Sequence, residues 1–149
     1  MPALAHEPES LGVLIADDHD LFVLGLTETL ASYPDLEVIG RAADGAEAVA
    51  LASSLRPDVV LMDVSMPRVD GILATREITD KLERTRVVVL SALSDGETVA
   101  RARSAGASAY LSKGCSVDEV IETVREVADR PSDGLELLER LPAAAAVAH

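Results

Sequence analysis

Five apolar runs of strand length punctuate the chain: LGVLIA (11–16), LEVIGRA (36–42), DVVLM (58–62), RVVVLS (86–91) and AYLS (109–112). Runs this continuously apolar, rather than alternating, predict strands covered on both faces, as in a parallel sheet flanked by helices. The stretches between them carry helix start signals. Asp44-Gly-Ala-Glu47, Ser94-Asp-Gly-Glu97 and Ser116-Val-Asp-Glu119 each put an acceptor at an N-cap and a Glu three residues on, a pair that satisfies free backbone N–H groups reciprocally. Asp20 is placed to cap the helix that contains Phe22, Leu26 and Leu30. In the last segment Val117, Val120, Ile121, Val124 and Val127 or Ala128 form one stripe, while Asp118, Glu119, Glu122, Arg125 and Glu126 face water. Gly106 is placed to end the fourth helix. The alternation of strand and helix, five times over, predicts an α/β domain with a doubly wound five-stranded parallel sheet and right-handed crossovers.

The pattern also divides the chain. Residues 1–10 are a polar, Pro-containing tail, residues 11–129 hold the α/β repeat, and Pro131-Ser-Asp-Gly134 reads as a linker. In the remainder, Leu135, Leu137, Leu138 and Leu141 suggest one short helix, packing on the domain or on a second subunit of a homodimer.

Composition narrows the function more than the fold. With 149 residues, 48% of them hydrophobic, the chain has enough material for one ordinary core. Its aromatics are Phe22, Tyr33 and Tyr110, so that core is built from Val, Leu, Ile and Ala. A net charge of -13 opposes any direct grip on nucleic acid, which depends on clustered Lys and Arg. No Lys or Arg precedes Arg41, so a basic signal or transit segment is missing from the start, and no apolar run approaches the roughly 18 residues of a membrane span. The expected setting is cytoplasmic, with no membrane partner. Cys115 is the sole cysteine, and His6, His19 and His149 are too scattered for zinc-type spacing.

In a doubly wound sheet the ligand site lies beyond the carboxyl ends of the strands. There the sequence collects charge: Asp17 and Asp18 follow the first strand, Asp63 the third, Ser91 ends the fourth, and Lys113 follows the fifth. Any one of these alone reads best as a helix cap or a solvated residue. Together they make a constellation. Two carboxylates about 4 Å apart repel by roughly 4 kcal/mol at an effective dielectric near 20. One lysine leaves three carboxylates undercompensated, whereas Mg2+ takes carboxylates, waters and phosphate oxygens. Such a cluster suits a metal site awaiting a phosphoryl group, with Asp63 as nucleophile and with Ser91 and Lys113 on the transferred oxygens. On physical grounds alone, Tyr110 reads as a core or half-buried aromatic rather than a functional one.

The phrases VLIADDHDLFVLGLTETLASYPDLEVIGRAADGAEAV, DVVLMDVSMPRVDGI, VVVLSAL and GASAYLSKG together resemble the receiver domain of two-component response regulators, nearest the NarL/FixJ type, over about residues 11–129. The resemblance implies a flavodoxin-like sheet of order 2-1-3-4-5. It implies that a partner histidine kinase phosphorylates Asp63, and that Asp18, Asp63 and the backbone carbonyl of Ser65 bind Mg2+, with Asp17 acting through water. Lys113 would pair with Asp63 or the phosphoryl oxygen. Ser91 would move toward the phosphoryl group and let Tyr110 change rotamer, which is the switch. Such a domain is a phosphoacceptor that assists its own phosphorylation and slow dephosphorylation, and it is no turnover enzyme. Transcription regulation is the usual output.

The chain departs from the family pattern in places. Gly114 follows Lys113 where Pro or an acidic residue is common, and Leu93 and Ser65 stand where variation tunes dephosphorylation. The 15 residues after Gly134 are too short for the helix-turn-helix domain that usually follows, so the sequence predicts either a stand-alone receiver or a longer protein cut after its linker, its output domain or partner lying outside this chain. Two alternatives stand beside the switch. One is a degenerate receiver acting through protein contacts. The other is an aspartyl-phosphate phosphatase of the haloacid dehalogenase type, which would need an acid/base Asp where this chain has Ser65.

Overall fold

The β-α alternation closes into a single six-stranded sheet of order β2-β1-β3-β4-β5-β6, every neighbouring pair parallel. The computed structural model describes residues 10–66, 70–92 and 95–129, and the backbone of 138–140. The elements run β1 (Leu11–Ala16), α1 (Asp20–Ala31), β2 (Leu36–Ala42), α2 (Gly45–Leu55), β3 (Val59–Asp63), α3 (Gly71–Lys81), β4 (Arg86–Ser91), α4 (Gly96–Ser104), β5 (Ala109–Ser112), α5 (Val117–Asp129) and β6 (Leu138–Arg140). The expected order 2-1-3-4-5 is present, and β6 extends it.

Strand pleating sorts the core into two layers. Val13, Ile15, Val59, Leu61, Val88, Leu90 and Leu111 point to one face, where Val23, Leu26 and Leu30 of α1 and Val120, Ile121, Val124 and Val127 of α5 cover them. Leu14, Ala16, Val60, Met62, Val87, Val89 and Tyr110 point to the other, under Ala48 and Ala52 of α2, Ile72, Ala74 and Ile78 of α3, and Val99 and Ala102 of α4. This double covering is why the strands read as unbroken apolar runs. At about 1.5–3 kcal/mol per buried Val, Leu or Ile side chain, the two layers supply the main driving force.

Most start signals work as read. Asp44 accepts the Glu47 N–H at 2.8 Å, and Glu47 Oε1 reaches back to the Ala43 N–H. Ser116 and Glu119 exchange backbone-to-side-chain bonds at 3.2 Å in both directions. Gly106 adopts a φ of 96° one residue past the α4 C-cap, a conformation costly for any residue with a Cβ.

Three expectations are corrected. His19, not Asp20, occupies the α1 N-cap, and Asp20 begins the helix with its carboxylate paired to Arg41 at 2.8 Å. The α4 cap is Asp95 rather than Ser94: it accepts the Thr98 N–H and hydroxyl at 3.1 and 2.8 Å, because the side chain three residues after Asp95, not Glu97, closes the turn. Leu138–Arg140 is a strand on the β5 edge instead of part of a helix, its register running from Ala109↔Leu138 to Leu111↔Arg140. Backbone pairing with an open edge outweighs a leucine pattern too short to hold a helix alone. The tail at 1–9, Leu93, Ser94 and the linker lie outside the described residues.

Candidate functional site

At the carboxyl edge of the sheet, β1 gives way to Asp17 and Asp18, and β3 ends in Asp63, two strands that are direct neighbours. β1 is also where the winding reverses, with β2 on one side and β3 on the other, so the site forms at the switch point of the fold. Asp17, Asp18, His19 and Asp63 each bring one ligand-type atom into a group whose members all lie within 4.8 Å of one another. Asp17 and Asp63 are buried and Asp18 and His19 are exposed, which opens the group to solvent on one side.

Backbone geometry fixes these carboxylates before any side chain acts. The Asp17 N–H donates to the Ala42 carbonyl at 2.9 Å, tying the β1 exit to β2. From the end of β2, Arg41 sends Nε and Nη2 to the Asp17 carbonyl at 3.1 and 3.0 Å, and Nη2 also to Asp20. One guanidinium thereby spans the β1–α1 turn that holds the acidic pair. On the other side, Gly71 opens α3 so close to β3 that a Cβ there would collide with the Asp63 carbonyl oxygen and lie 2.8 Å from Val64 Cα. Only glycine allows α3 to start against the strand end.

Lys113 is the compensating cation. Its Nζ lies 2.8 Å from Asp17 Oδ2 and 3.5 Å from Asp63 Oδ2, so its shorter pairing is with Asp17, whereas the family resemblance implies Asp63. The Lys113 N–H donates to the Ser91 carbonyl at 2.9 Å, which locks the loop after β5 to the end of β4. The ammonium also lies 4.7 Å from the centroid of the Phe22 ring on α1.

The two buried carboxyls respond in opposite directions. Burial works to raise the Asp17 pKa, but bonds from Lys113 and from the backbone and ring of His19 outweigh it and hold Asp17 below its ordinary value. Burial also raises Asp63, and there it prevails: the Ser65 N–H bond at 3.2 Å, Lys113 and His19 offset only part of it, and the Asp17 charge adds to it. Asp63 Oδ2 is buried and accepts no hydrogen bond. A buried, orphaned oxygen facing two further carboxylates is what a hard divalent cation or a bond to an electrophilic phosphorus would satisfy, and the all-oxygen donor set of Asp17, Asp18 and Asp63 fits Mg2+.

Ser91 and Tyr110 extend the site into the core. Ser91 closes β4 in register with Ser112, one residue beyond the Asp63↔Leu90 pair. Its side chain is hydrogen bonded to the Tyr110 hydroxyl, and burial pushes the Tyr110 pKa up, with that bond opposing the shift. Tyr110 is fully buried, as the bland reading of it expected. Ser65 is exposed beside Asp63, and Gly114 donates to Ser112 Oγ at 3.0 Å. Asp17, Asp18, Asp63 and Lys113 are brought together, and Ser91 stands on the adjoining strand. His19 and Arg41 are members that sequence reasoning missed. A histidine directly after the acidic pair was the available signal for His19, but Arg41 acts through a backbone carbonyl 24 positions away and leaves no pattern. A separate cleft of 630 Å3, lined by Arg56, Asp58, Lys81 and Arg84 among others, opens beside the starts of β3 and β4, at the opposite end of the sheet.

A parallel sheet with an acidic switch-point site and a lysine after its fifth strand defines a class, and comparison with known proteins specifies it. Residues 13–125 match the response regulator receiver domain, and the chain belongs to that family. It is 40% identical over 115 residues to the response regulator GacA of Pseudomonas aeruginosa, an alignment covering 77% of this chain and 54% of that protein. The chain thus matches about half the length of such relatives. The receiver domain of the putative response regulator NarL from Mycobacterium tuberculosis superposes with a TM-score of 0.79 at 34% identity, covering 83% of this chain and all of that one. A Borrelia burgdorferi CheX-CheY-BeF3-Mg complex gives a TM-score of 0.74 at 31% identity, over 80% of this chain and 90% of that one. Receiver domains of this family are signalling modules, and the relatives' names place them in two-component transcription regulation. Among the described residues no helix is long and apolar enough to cross a membrane.

Proposed function

We propose that this chain is a phosphorylation-dependent switch in which Asp63 accepts a phosphoryl group from a sensor histidine kinase. The buried Asp63 carboxylate, with Oδ2 free of any hydrogen bond and an ammonium 3.5 Å away, is the observation that carries the reading. In the transfer, an Asp63 oxygen bonds to phosphorus as the bond to the kinase's imidazole nitrogen breaks, and the freed imidazole takes up a proton. Asp18, Asp63 and the Ser65 carbonyl would hold Mg2+, with Asp17 acting through water. The ion would supply charge neutralisation for the phosphoryl oxygens. Lys113 and Ser91 would bind those oxygens, and the same groups would support slow dephosphorylation.

Propagation would run through Ser91 to Tyr110. A phosphoryl group adds about -1.5 to -2 charges, and taking a switch from about 1:99 to 99:1 needs roughly 5.5 kcal/mol of differential stabilisation. Bonds to a charged phosphoryl at roughly 1.5–3 kcal/mol each supply much of that. The setting is cytoplasmic, with an output domain or partner protein, or a homodimer, reading the switched face and no direct nucleic-acid contact by this chain. The BeF3 and Mg in the similar CheY complex support the same chemistry here. Acetyl phosphate labelling followed by intact mass spectrometry tests it. Wild type should gain one phosphoryl group with Mg2+ present and none after chelation, and Asp63→Asn should gain none. A Mg2+-independent gain, or one that survives Asp63→Asn, defeats the proposal.

A further inference from the structure

We propose that Phe22 is a positioning residue for Lys113: the face of its ring holds the ammonium beside Asp63 without a lone pair to claim any of its N–H bonds. Resting on the reading of Asp63 as phosphoacceptor, Phe22 becomes the group that presents the cation to the transferred oxygens.

Around the Lys113 Nζ stand Asp17 Oδ2 at 2.8 Å, His19 Nδ1 at 3.3 Å and Asp63 Oδ2 at 3.5 Å, and the Nζ lies over the Phe22 ring, 4.7 Å from its centroid. That distance is within the reach of the ring quadrupole for a cation. A lysine ammonium is a strongly hydrated point charge on a flexible stem, so water competes with the carboxylates for it. Here the side chain is only 16% exposed, and the ring is an apolar wall that attracts the charge instead of hydrating it. The ammonium now pairs more closely with Asp17 than with Asp63. A phosphoryl group on Asp63 would set new anionic oxygens beside it, toward which it must turn. Attraction to an electron cloud lets it turn while still held, whereas a hydroxyl or carboxylate at position 22 would keep one N–H for itself.

Backbone bonds fix both ends of this contact. Phe22 lies in the first turn of α1, where the Val23 N–H donates to the His19 carbonyl at 3.0 Å and Val23 and Leu26 are buried in the layer shared with α5. The Phe22 ring is half-buried and packs against that layer. The Lys113 N–H is tied to the Ser91 carbonyl at 2.9 Å. The ring therefore joins the start of α1, directly after the acidic pair, to the loop after β5. Leucine would fill the same edge of the core, but only an electron-rich face attracts the ammonium.

Phe22 is the sole phenylalanine of the chain, so expressing the full chain in a phenylalanine auxotroph fed mono-, di- or trifluorophenylalanine alters this ring and no other. Fluorine withdraws electron density from the ring face while nearly keeping its shape. The rate of Asp63 labelling by acetyl phosphate with Mg2+, followed by intact mass spectrometry, should fall stepwise along the series. The loss should reach about fivefold for the trifluoro ring, with the melting temperature unchanged. Phe22→Tyr should keep the rate, and Phe22→Leu should lose as much as the trifluoro protein. Proton NMR should show the Lys113 side-chain resonances shifted upfield by the ring in wild type and not in Phe22→Leu. A rate that is flat along the series, or that falls only in step with the melting temperature, overturns the positioning role, as does an unshifted Lys113 resonance in wild type. Wild type that shows the ring shift but takes no phosphoryl group overturns the phosphoacceptor reading instead, so the two failures are told apart.

Discussion

The side chain of Ser91 is hydrogen bonded to the hydroxyl of Tyr110, joining the carboxyl edge of the sheet to the layer under α4. Tyr110 and Ser91 are both fully buried, so their bond is made away from water. Removing one partner costs the other this bond in a buried setting. Ser91→Ala should therefore destabilise the fold by about 1–3 kcal/mol and Tyr110→Phe by about 1 kcal/mol. A double-mutant cycle in urea should return a coupling near 1 kcal/mol, and a coupling of zero would show the two side chains acting independently.

Asp63→Asn should stabilise the protein. The carboxylate is buried with one oxygen unmatched, at a cost of about 1–3 kcal/mol. An amide removes the charge and its repulsion by Asp17 while keeping the shape. Differential scanning calorimetry at neutral pH should show a melting temperature higher by roughly 3–8 °C. An unchanged or lower value would mean that Lys113 already compensates the buried charge.

The pH dependence separates the two buried acids. Asp17 has a folded pKa below the ordinary 3.8, so its stabilising contribution is present above that value and is lost as the pH falls toward the folded one. Asp63 has a folded pKa above 3.8: the folded state binds the extra proton, and its contribution favours folding at acid pH and is lost as the pH rises through the folded value. Denaturant titrations from pH 3 upward should show the Asp63 component vanish in Asp63→Asn, leaving the decline below about 3.8 to which Asp17 contributes together with Asp35 and Asp95.

Arg41→Met keeps the aliphatic stem and deletes the clamp on the Asp17 carbonyl and Asp20. Looser carboxylates bind a cation less well. Affinity for Mg2+ should fall by about tenfold, within the range for groups that orient ligands, while the half-exposed position keeps the stability change below about 1 kcal/mol. Equal loss of both would make Arg41 merely structural.

Gly71→Ala should be far more damaging than its size suggests. The new Cβ would overlap the backbone of Asp63 and Val64, where no rotamer change gives relief, so a loss of about 2 kcal/mol or more is expected by chemical denaturation. The same substitution at Gly25, where a Cβ would meet nothing within 4 Å, should be harmless or mildly stabilising.

Most of the architecture could be read from local pattern, because strands buried on both faces announce themselves as apolar runs. The boundaries of β1, β2, β4 and β5 agree with the structure, and β3 is shifted by one residue at both ends, so that Asp63 closes the strand instead of following it. The acidic residues were legible because strand ends converge in this topology. What escaped the reading depends on contacts distant in sequence. The pairing of Lys113 with Asp17 depends on how the loop after β5 lies across the β1 exit, and the reach of Arg41 across the β1–α1 turn is set by strand adjacency. His19 was dismissed by counting histidines against one another, when its companions are aspartates. β6 escaped because a three-residue strand has no period of its own and exists only where an edge offers it partners.

That last strand has a practical corollary for anyone choosing where to stop a shortened version of the chain. With β6 in place, the backbone groups on the outer side of β5 are paired, and β2 lies at the opposite border of the sheet. A version ending at Asp129 would strip three residues of pairing from beside Tyr110 and leave the outer side of β5 as a bare edge, a template for strand pairing between molecules.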